Sequence, residues 1–411
     1  MVRPGRWWVL TVSAAMLTFG GGMTFYAFPV YLDALVSRAP ERMFAVSNAV
    51  SVFYLAFALA GVPVAWLVQR AGTRTVIGAG SLVCAVGLAS VSVVDDPTLL
   101  AVAFGLVGVG GCATSLLPIT VVIVRLFVQD RARALALTMT GFSVGGVGVV
   151  PLLSWLVHTY GVRTCAPWLA AAYLVLVGLP GALYVSSEKA AAPDGPATSS
   201  GAQPGKKLIP PNASLAGVPY RDAVRSGVFL VLSGTCAVLM ANQMGPQVHL
   251  VRMGAEKHID NPVVLITILA GSSLAGRLVG GLVMARTEAT MFFAGLGVVQ
   301  AAALVLLAAP TGTAGAVLGA GFFGVCIGNL GVVTPLLLVE RFGLLDYPRI
   351  LGLHQLVINL GMACGPSVLG TLHGRLGGYA LPLFAMASAS LACAVVIAIR
   401  FRTPGTMRYA A

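Results

Sequence analysis

Apolar residues run along this chain in twelve long stretches, which are separated by short segments that hold most of the charges, prolines and glycines. A helix needs about 20 apolar residues to cross the hydrocarbon core of a bilayer, whereas soluble strands and core helices use shorter apolar runs. The pattern therefore predicts twelve membrane-spanning helices. Their expected cores are 7–32, 44–68, 75–94, 98–126, 134–157, 165–185, 226–250, 261–285, 290–309, 314–339, 350–373 and 380–399.

The composition supports a membrane protein and excludes a soluble one. Of 411 residues, 58% are hydrophobic and only 9% are charged, and the mean hydropathy is +0.92. The natural solvent of such a chain is lipid. The 7 cysteines fall mostly inside apolar stretches and lack the spacing of metal ligands, so we interpret them as packing residues and expect no metal site and no cofactor.

Lysine and arginine are distributed unevenly between the two ends of the predicted helices. If the chain starts in the cytoplasm, most of the 25 cations fall in cytoplasmic segments, as the positive-inside rule requires. We therefore expect a multi-pass protein of the plasma (inner) membrane with both termini cytoplasmic. The net charge of +12 then matches the anionic inner leaflet, and the chain needs no nucleic-acid partner.

One long polar stretch, rich in proline, glycine and serine, predicts a flexible cytoplasmic linker at 187–224. The segments 1–186 and 225–411 on either side each hold six predicted helices. An offset of 216 residues superposes arginines of the two segments: Arg70 meets Arg286, Arg125 meets Arg341, and Arg133 meets Arg349. This repeat predicts two parallel six-helix bundles around a substrate site near the middle of the membrane.

Several short motifs resemble those of a known family. The loop after the second predicted helix contains Arg70, Gly72 and Arg74, and later stretches read "RLFVQDRARALAL" at 125–137 and "NLGMACGPSVLGTLHGRLGGY" at 359–379. With its duplicated halves, the chain resembles the major facilitator superfamily, and within it the branch of monocarboxylate transporters and oxalate/formate exchangers. The resemblance implies an all-α membrane protein with twelve transmembrane helices in two pseudo-symmetric six-helix bundles. It also implies a cytoplasmic loop motif of Arg70, Gly72, Arg74, Arg125, Arg133, Arg286 and Arg341.

Arg277 is the one cation inside a predicted span, in the eighth. Placing an arginine there costs at least about 2.5 kcal/mol, so something must offset the charge. A structural ion pair and a side chain that reaches to the membrane surface are both open explanations, but Asp33 and Glu340 are poorly placed as partners. A guanidinium without a resident carboxylate suits a carboxylate that arrives and leaves. The family resemblance likewise implies that Arg277 binds the substrate carboxylate.

Other polar residues in the predicted spans are candidates to hydrogen-bond a substrate, and their alternative role is to join helices. Proton-coupled members of the resembled branch carry an aspartate four residues before the arginine, where this chain has Ser273, so coupling through that acid is not expected. His354 is the candidate to replace it. With Arg277, the predicted substrate-binding residues are Tyr26, Tyr31, Asn242, Asn329, His354 and Gln355.

These features together predict a secondary active or facilitative transporter of a small organic anion, most simply a monocarboxylate, that works by alternating access. Uniport, exchange and proton symport all remain open, with protons as the optional co-substrate. The alternative is a broad-specificity efflux carrier for drugs or hydrophobic metabolites on the same fold. An enzyme is not expected, because no nucleophile and base pair or phosphate-binding loop is recognisable. We expect a monomer in the lipid bilayer.

Overall fold

The computed structural model describes residues 6–37, 40–94, 96–127, 131–181, 217–284, 286–343 and 345–401, and this part of the chain is helical without β-strands. It contains twelve helical spans that are long and apolar enough to cross a membrane, which confirms the sequence prediction. The spans are Trp7–Val36, Met43–Val68, Arg70–Ser90, Pro97–Thr120, Leu137–Tyr160, Val162–Gly181, Gly227–Glu256, Val264–Met284, Ala289–Ala308, Gly312–Phe342, Arg349–Leu376 and Ala380–Arg400.

The predicted linker falls largely in 182–216, which lies outside the described residues. Its last part, from Gly217 onward, is described and includes a short helix, Tyr220–Arg225. This helix is held at the end of the tenth span, since the backbone N–H of Val218 donates to the carbonyl of Phe342 at 2.8 Å. We call the membrane side at which the sixth span ends and the seventh begins the linker side, and the opposite side the far side.

Several spans of the first half are interrupted where proline or glycine weakens the helix. The second and third spans are two helices, Met43–Val68 and Arg70–Ser90, that meet at a kink at Gly72, whose φ of 81° is not helical and favours glycine. In the first span the interruption lies next to Pro29. The first span consists of Arg6–Met23 and Phe28–Val36, and the fourth consists of Pro97–Thr114 and Leu116–Leu126. The fifth consists of Arg131–Val144 and Val150–Tyr160, which flank a π-helical turn at Gly145–Val149. In the sixth, Val162–Tyr173 is followed by a π-helical turn at Leu174–Gly178.

The two halves pack their spans in matching ways. A Cβ on Gly108 of the fourth span would collide with the carbonyl of Phe53 in the second, and a Cβ on Gly324 of the tenth would collide with the carbonyl of Leu269 in the eighth. Both members of the second pair lie 216 residues after those of the first, which is the offset seen in the sequence. Small residues thus let equivalent helices approach at backbone distance in each bundle.

The halves meet on the far side. There the second span packs along the eleventh, and the end of the first span packs on the seventh. The hydroxyl of Ser367 donates to Asn48 Oδ1 at 3.1 Å and to Ser51 Oγ at 2.8 Å, joining the eleventh span to the second. Because most of the hydrogen bonds that the described residues make between the halves lie at this end, the structure has its far side closed.

The close approach of the seventh and eleventh spans gives a stability prediction. A Cβ on Gly361 would collide with backbone atoms of Ala237, whereas a Cβ on Gly352 of the same helix would meet nothing within 4 Å. Gly361→Ala is therefore expected to destabilise the protein by about 1–3 kcal/mol through overpacking. Gly352→Ala should stabilise it by about 0.5–1 kcal/mol through helix propensity. Thermal unfolding in detergent measures both, and equal unfolding midpoints for the two variants would contradict the packing.

Candidate functional site

Arg277 lies in the eighth span and joins the two halves of the molecule. Its Nε–H donates to the carbonyl of Gly328 in the tenth span at 3.3 Å, and its Nη1 donates to the carbonyl of Met139 in the fifth span at 3.3 Å. Among the residues that the structure describes, no carboxylate lies within ion-pair distance of it. Since a guanidinium carries five N–H donors, several remain for a ligand.

The tenth span is shaped to receive this arginine. A Cβ on Gly328 would lie 3.2 Å from Cγ of Arg277 and would collide with the carbonyl of Ser273. Glycine at this position therefore lets the aliphatic part of the arginine lie along the tenth helix, and leaves the Gly328 carbonyl open to its Nε–H. The guanidinium is thereby positioned at the interface with the fifth span.

Tyr26 connects Arg277 to two buried serine hydroxyls. Tyr26, in the turn that interrupts the first span, is 5% exposed and interacts electrostatically with Arg277. Its hydroxyl approaches Ser143 of the fifth span and Ser273 of the eighth. Both serines are fully buried, and neither hydroxyl has a hydrogen-bond partner of good geometry. We call Tyr26, Ser143, Ser273 and Arg277 the arginine cluster.

The arginine cluster is suited to an anion that brings its own acceptors. A buried hydroxyl without a partner costs about 1–3 kcal/mol, which a ligand oxygen would recover. The guanidinium would supply charge-assisted hydrogen bonds to the same ligand. The first, fifth and eighth spans contribute these groups, so the cluster lies between the halves, where a rocking carrier holds its substrate.

Ser143 was not among the residues predicted from the sequence, and Ser273 was noted only for the absence of an acid. The local sequence holds little signal for either, because serines in helices usually bond to their own backbone. Ser13, for example, is equally buried but donates to the carbonyl of Val9 at 2.7 Å. Only the packing of the first, fifth and eighth spans distinguishes the two cases.

Asn329 and Tyr31 lie outside the arginine cluster and serve the packing of their own half. The amide of Asn329 donates to the carbonyls of Gly276 and Val325, each at 2.9 Å, and so ties the tenth span to the eighth. The hydroxyl of Tyr31 donates to the carbonyl of Met23 at 3.2 Å, across the interruption of the first span. The described contacts connect neither side chain to Arg277.

The remaining predicted binding residues belong to the second half and are also separate from the arginine cluster. The amide of Asn242 donates to the carbonyl of Met386 at 2.9 Å and to Ser390 Oγ at 3.0 Å, joining the seventh span to the twelfth. His354 is buried with Nδ1 2.8 Å from Ser233 Oγ. Gln355 is exposed and donates to Asn359 Oδ1 of its own helix at 3.2 Å.

The predicted loop-motif residues lie at the linker side. The guanidinium of Arg70 stacks 4.3 Å from the ring centre of Trp66, while Arg74 and Arg286 are exposed. Arg341 donates to the carbonyl of Phe401 at 3.2 Å and so joins the ends of the tenth and twelfth spans. The side chains of Arg125 and Arg133 lie outside the described part of the structure.

A second polar cluster closes the far side, and we call it the far-side latch: Ser47, His249, Tyr379, Asp33 and Arg252. His249, in the seventh span, has Nε2 3.2 Å from Ser47 Oγ of the second span, and Nδ1 2.9 Å from the Tyr379 hydroxyl. Asp33 and Arg252 approach to 3.9 Å across the same interface. The latch therefore joins the halves at two points.

The partners of His249 determine its tautomer. Nε2 also lies 3.4 Å from the carbonyl of Pro366, which can only accept, so Nε2 carries the proton. Nδ1 then accepts from the hydroxyl of Tyr379. Burial raises the pKa of Tyr379 well above its usual value, so this hydroxyl keeps its proton and donates. Neutral His249 is thus satisfied on both nitrogens and bonded to the opposite half.

Removing the hydroxyl of Tyr379 tests the latch. Tyr379→Phe leaves His249 Nδ1 buried without a donor, and is expected to cost about 1–3 kcal/mol of stability. Tyr160→Phe, at an exposed far-side position, is the matched control and is expected to stay within about 0.5 kcal/mol of the wild type. Thermal unfolding in detergent measures both. Indistinguishable midpoints would mean that the His249–Tyr379 bond, which orients His249 towards Ser47, does not stabilise the protein.

Comparison with known proteins agrees with this architecture. The chain is 26% identical to Monocarboxylate transporter 13 of Bos taurus over 392 residues, covering 91% of this chain and 85% of the relative. It is 26% identical to Monocarboxylate transporter 1 of Homo sapiens over an alignment of 437 residues, covering 96% of this chain and 83% of the relative. The family model described as Major Facilitator Superfamily matches residues 10–343. With its twelve spans, the chain belongs to the Major Facilitator Superfamily and is related to monocarboxylate transporters.

Proposed function

We propose that this transporter carries a small monocarboxylate across the plasma membrane by alternating access, with the linker side in the cytoplasm and the carboxylate bound by Arg277. The observation that carries the proposal is an intramembrane guanidinium whose described hydrogen bonds go to backbone carbonyls, of Gly328 and Met139. The curated relatives are monocarboxylate transporters by name, which supports the same substrate class. Because an identity of 26% does not by itself assign a substrate, the proposal rests on the residues of the arginine cluster.

Charge balance favours a monoanion. In the described part of the chain, Arg277 is the only cation of the arginine cluster, and a single negative charge cancels it in a low-dielectric site. Tyr26, Ser143 and Ser273 add neutral hydrogen-bonding groups around that charge. A dianion would bring a second charge for which the cluster supplies no cation. An apolar efflux substrate would leave the charge of the guanidinium uncancelled and both buried serine hydroxyls without partners, so the cluster favours the carboxylate.

The position of Arg277 connects binding with alternating access. The far side is closed, and the guanidinium bonds to Met139 of the opposite half. A carboxylate that takes over this donor would replace a bond between the halves with bonds to the ligand. Binding would therefore alter the contact about which the two bundles move.

Substitution of Arg277 tests the proposal. Uptake of radiolabelled acetate, lactate, pyruvate, formate and oxalate into proteoliposomes is expected to be saturable for at least one monocarboxylate. Arg277→Gln should reduce kcat/KM for uptake of this monocarboxylate about 10–100-fold. Arg277→Lys should retain only part of the wild-type kcat/KM, because lysine keeps the charge but lacks the planar fork of hydrogen-bond donors. Arg225→Lys, at an exposed linker-side position, is the control. Unchanged uptake by folded Arg277→Gln protein would refute the assignment.

The neutral groups of the arginine cluster give a further prediction. Ser143→Ala and Tyr26→Phe each remove one hydrogen bond to the bound acid, and each is expected to raise KM about five- to tenfold. Ser13→Ala removes an equally buried hydroxyl that is bonded within the first span, and should leave KM unchanged. Concentration dependence of initial uptake rates measures all three. Equal KM values in all variants would show that the ligand does not reach these hydroxyls.

A further inference from the structure

We propose that the transporter is an obligatory exchanger, in which the two halves change sides only while an anion neutralises Arg277. The inference rests on the proposed function, since it takes Arg277 as the carboxylate-binding group. It goes further by naming the counter-substrate, which is a second molecule of a small carboxylate on the opposite side of the membrane. It also assigns Ser273 as the residue that determines the transport mode.

The binding site of the empty carrier holds an uncompensated charge. The guanidinium of Arg277 is always protonated, and its described hydrogen bonds go to carbonyls, which are neutral. Asp33 and Glu340, the two acids considered from the sequence, do not compensate it. Asp33 lies in the far-side latch opposite Arg252, and Glu340 is exposed at the linker-side end of the tenth span. The empty site therefore carries a positive charge.

The groups that pack around Arg277 are also unable to supply a negative charge. From the first span the neighbouring group is the hydroxyl of Tyr26, which Ser143 of the fifth span approaches in turn. The fifth and tenth spans supply the carbonyls of Met139 and Gly328. Ser273 completes the shell from the eighth span itself. All of these groups are neutral at physiological pH.

Moving this charge through the occluded arrangement has a cost. While one side is open, water can solvate the guanidinium. Between the two open states both sides are closed, water leaves the site, and the bond to Met139 must break as the fifth and eighth spans shift. An uncompensated arginine in such a place is expensive, whereas a bound carboxylate cancels its charge and accepts its hydrogen bonds. The loaded carrier therefore crosses much faster than the empty one.

Ser273 is the position at which an acidic side chain would neutralise Arg277 in the empty carrier. It lies four residues before Arg277, and thus on the same face of the eighth helix, and it is fully buried with an unpartnered hydroxyl. A carboxyl group at this position would form an ion pair with Arg277 in the empty carrier, and a proton would release it when substrate binds. A serine can do neither, so nothing among the described residues neutralises Arg277 in the empty carrier.

The wild-type experiment compares loaded and empty vesicles. Proteoliposomes contain either no acid or one of unlabelled acetate, lactate, pyruvate, formate and oxalate, and take up the same labelled acid, with potassium and valinomycin clamping the membrane potential. Protein-free vesicles correct for diffusion of the neutral acid. Uptake into loaded vesicles is expected to be about 70-fold faster, from the lower cost of an intramembrane arginine converted at tenfold per about 1.36 kcal/mol. An imposed pH gradient should leave the exchange rate unchanged.

Two other outcomes would separate the exchange inference from the proposed function. Equal uptake into loaded and empty vesicles would overturn obligatory exchange while the proposed function stands. No carrier-dependent uptake of any of the five acids into either kind of vesicle would overturn the proposed function, and the exchange inference with it.

Substitutions at Ser273 test whether the unpaired charge of Arg277 is what restricts the empty carrier. Ser273→Asp is expected to permit uptake into empty vesicles, and to make that uptake respond to an inward proton gradient. Asparagine has nearly the same size as aspartate but no charge. In Ser273→Asn protein, uptake into empty vesicles should therefore remain far below uptake into loaded ones. If folded Ser273→Asp protein keeps the wild-type ratio of loaded to empty uptake, the unpaired charge of Arg277 is not what restricts the empty carrier.

Discussion

A guanidinium inside the membrane, bonded in the described structure only to backbone carbonyls, is the constraint on which this account depends. Arg277 has one of these carbonyls in each half of the molecule, so its environment changes whenever the halves move. Its charge must be cancelled or solvated at every stage of that movement. Gly328 lets the arginine lie along the tenth helix, and the unpartnered hydroxyls of Ser143 and Ser273 are available to a ligand that this charge attracts.

The two clusters between the halves differ in how they satisfy their polar groups. In the far-side latch, His249 finds its partners inside the protein, with a donor on Tyr379 and an acceptor on Ser47. Opening of the far side exposes these groups to water, which can replace each bond. The arginine cluster instead leaves hydroxyls and guanidinium donors unused while it is empty. The latch is thus complete without a ligand, whereas the cluster is complete only with one.

Much of the fold followed from local features of the sequence. Span length and hydropathy predict twelve helices, because both depend on residues close together along the chain. The 216-residue offset predicts the duplication, because equivalent residues recur at a fixed spacing. The sequence also singles out Arg277 as a candidate, since a charge in an apolar span needs a physical explanation. The side-chain contacts of the amides were harder to predict. The roles of Asn242 and Asn329 were not predictable, because an amide in an apolar helix has the same local sequence whether it faces a neighbouring backbone or a ligand. The rotation of each helix about its axis decides this, and tertiary packing sets that rotation.

The most direct test of the account is an experimental structure of the protein in lipid with a bound monocarboxylate, compared with the same protein without the acid. We expect the carboxylate within hydrogen-bond distance of the Arg277 guanidinium and the Tyr26 hydroxyl, and we expect the hydrogen bond from Arg277 to Met139 to be absent. A carboxylate bound elsewhere in the cavity, with Arg277 still donating to Met139 and Gly328, would contradict it.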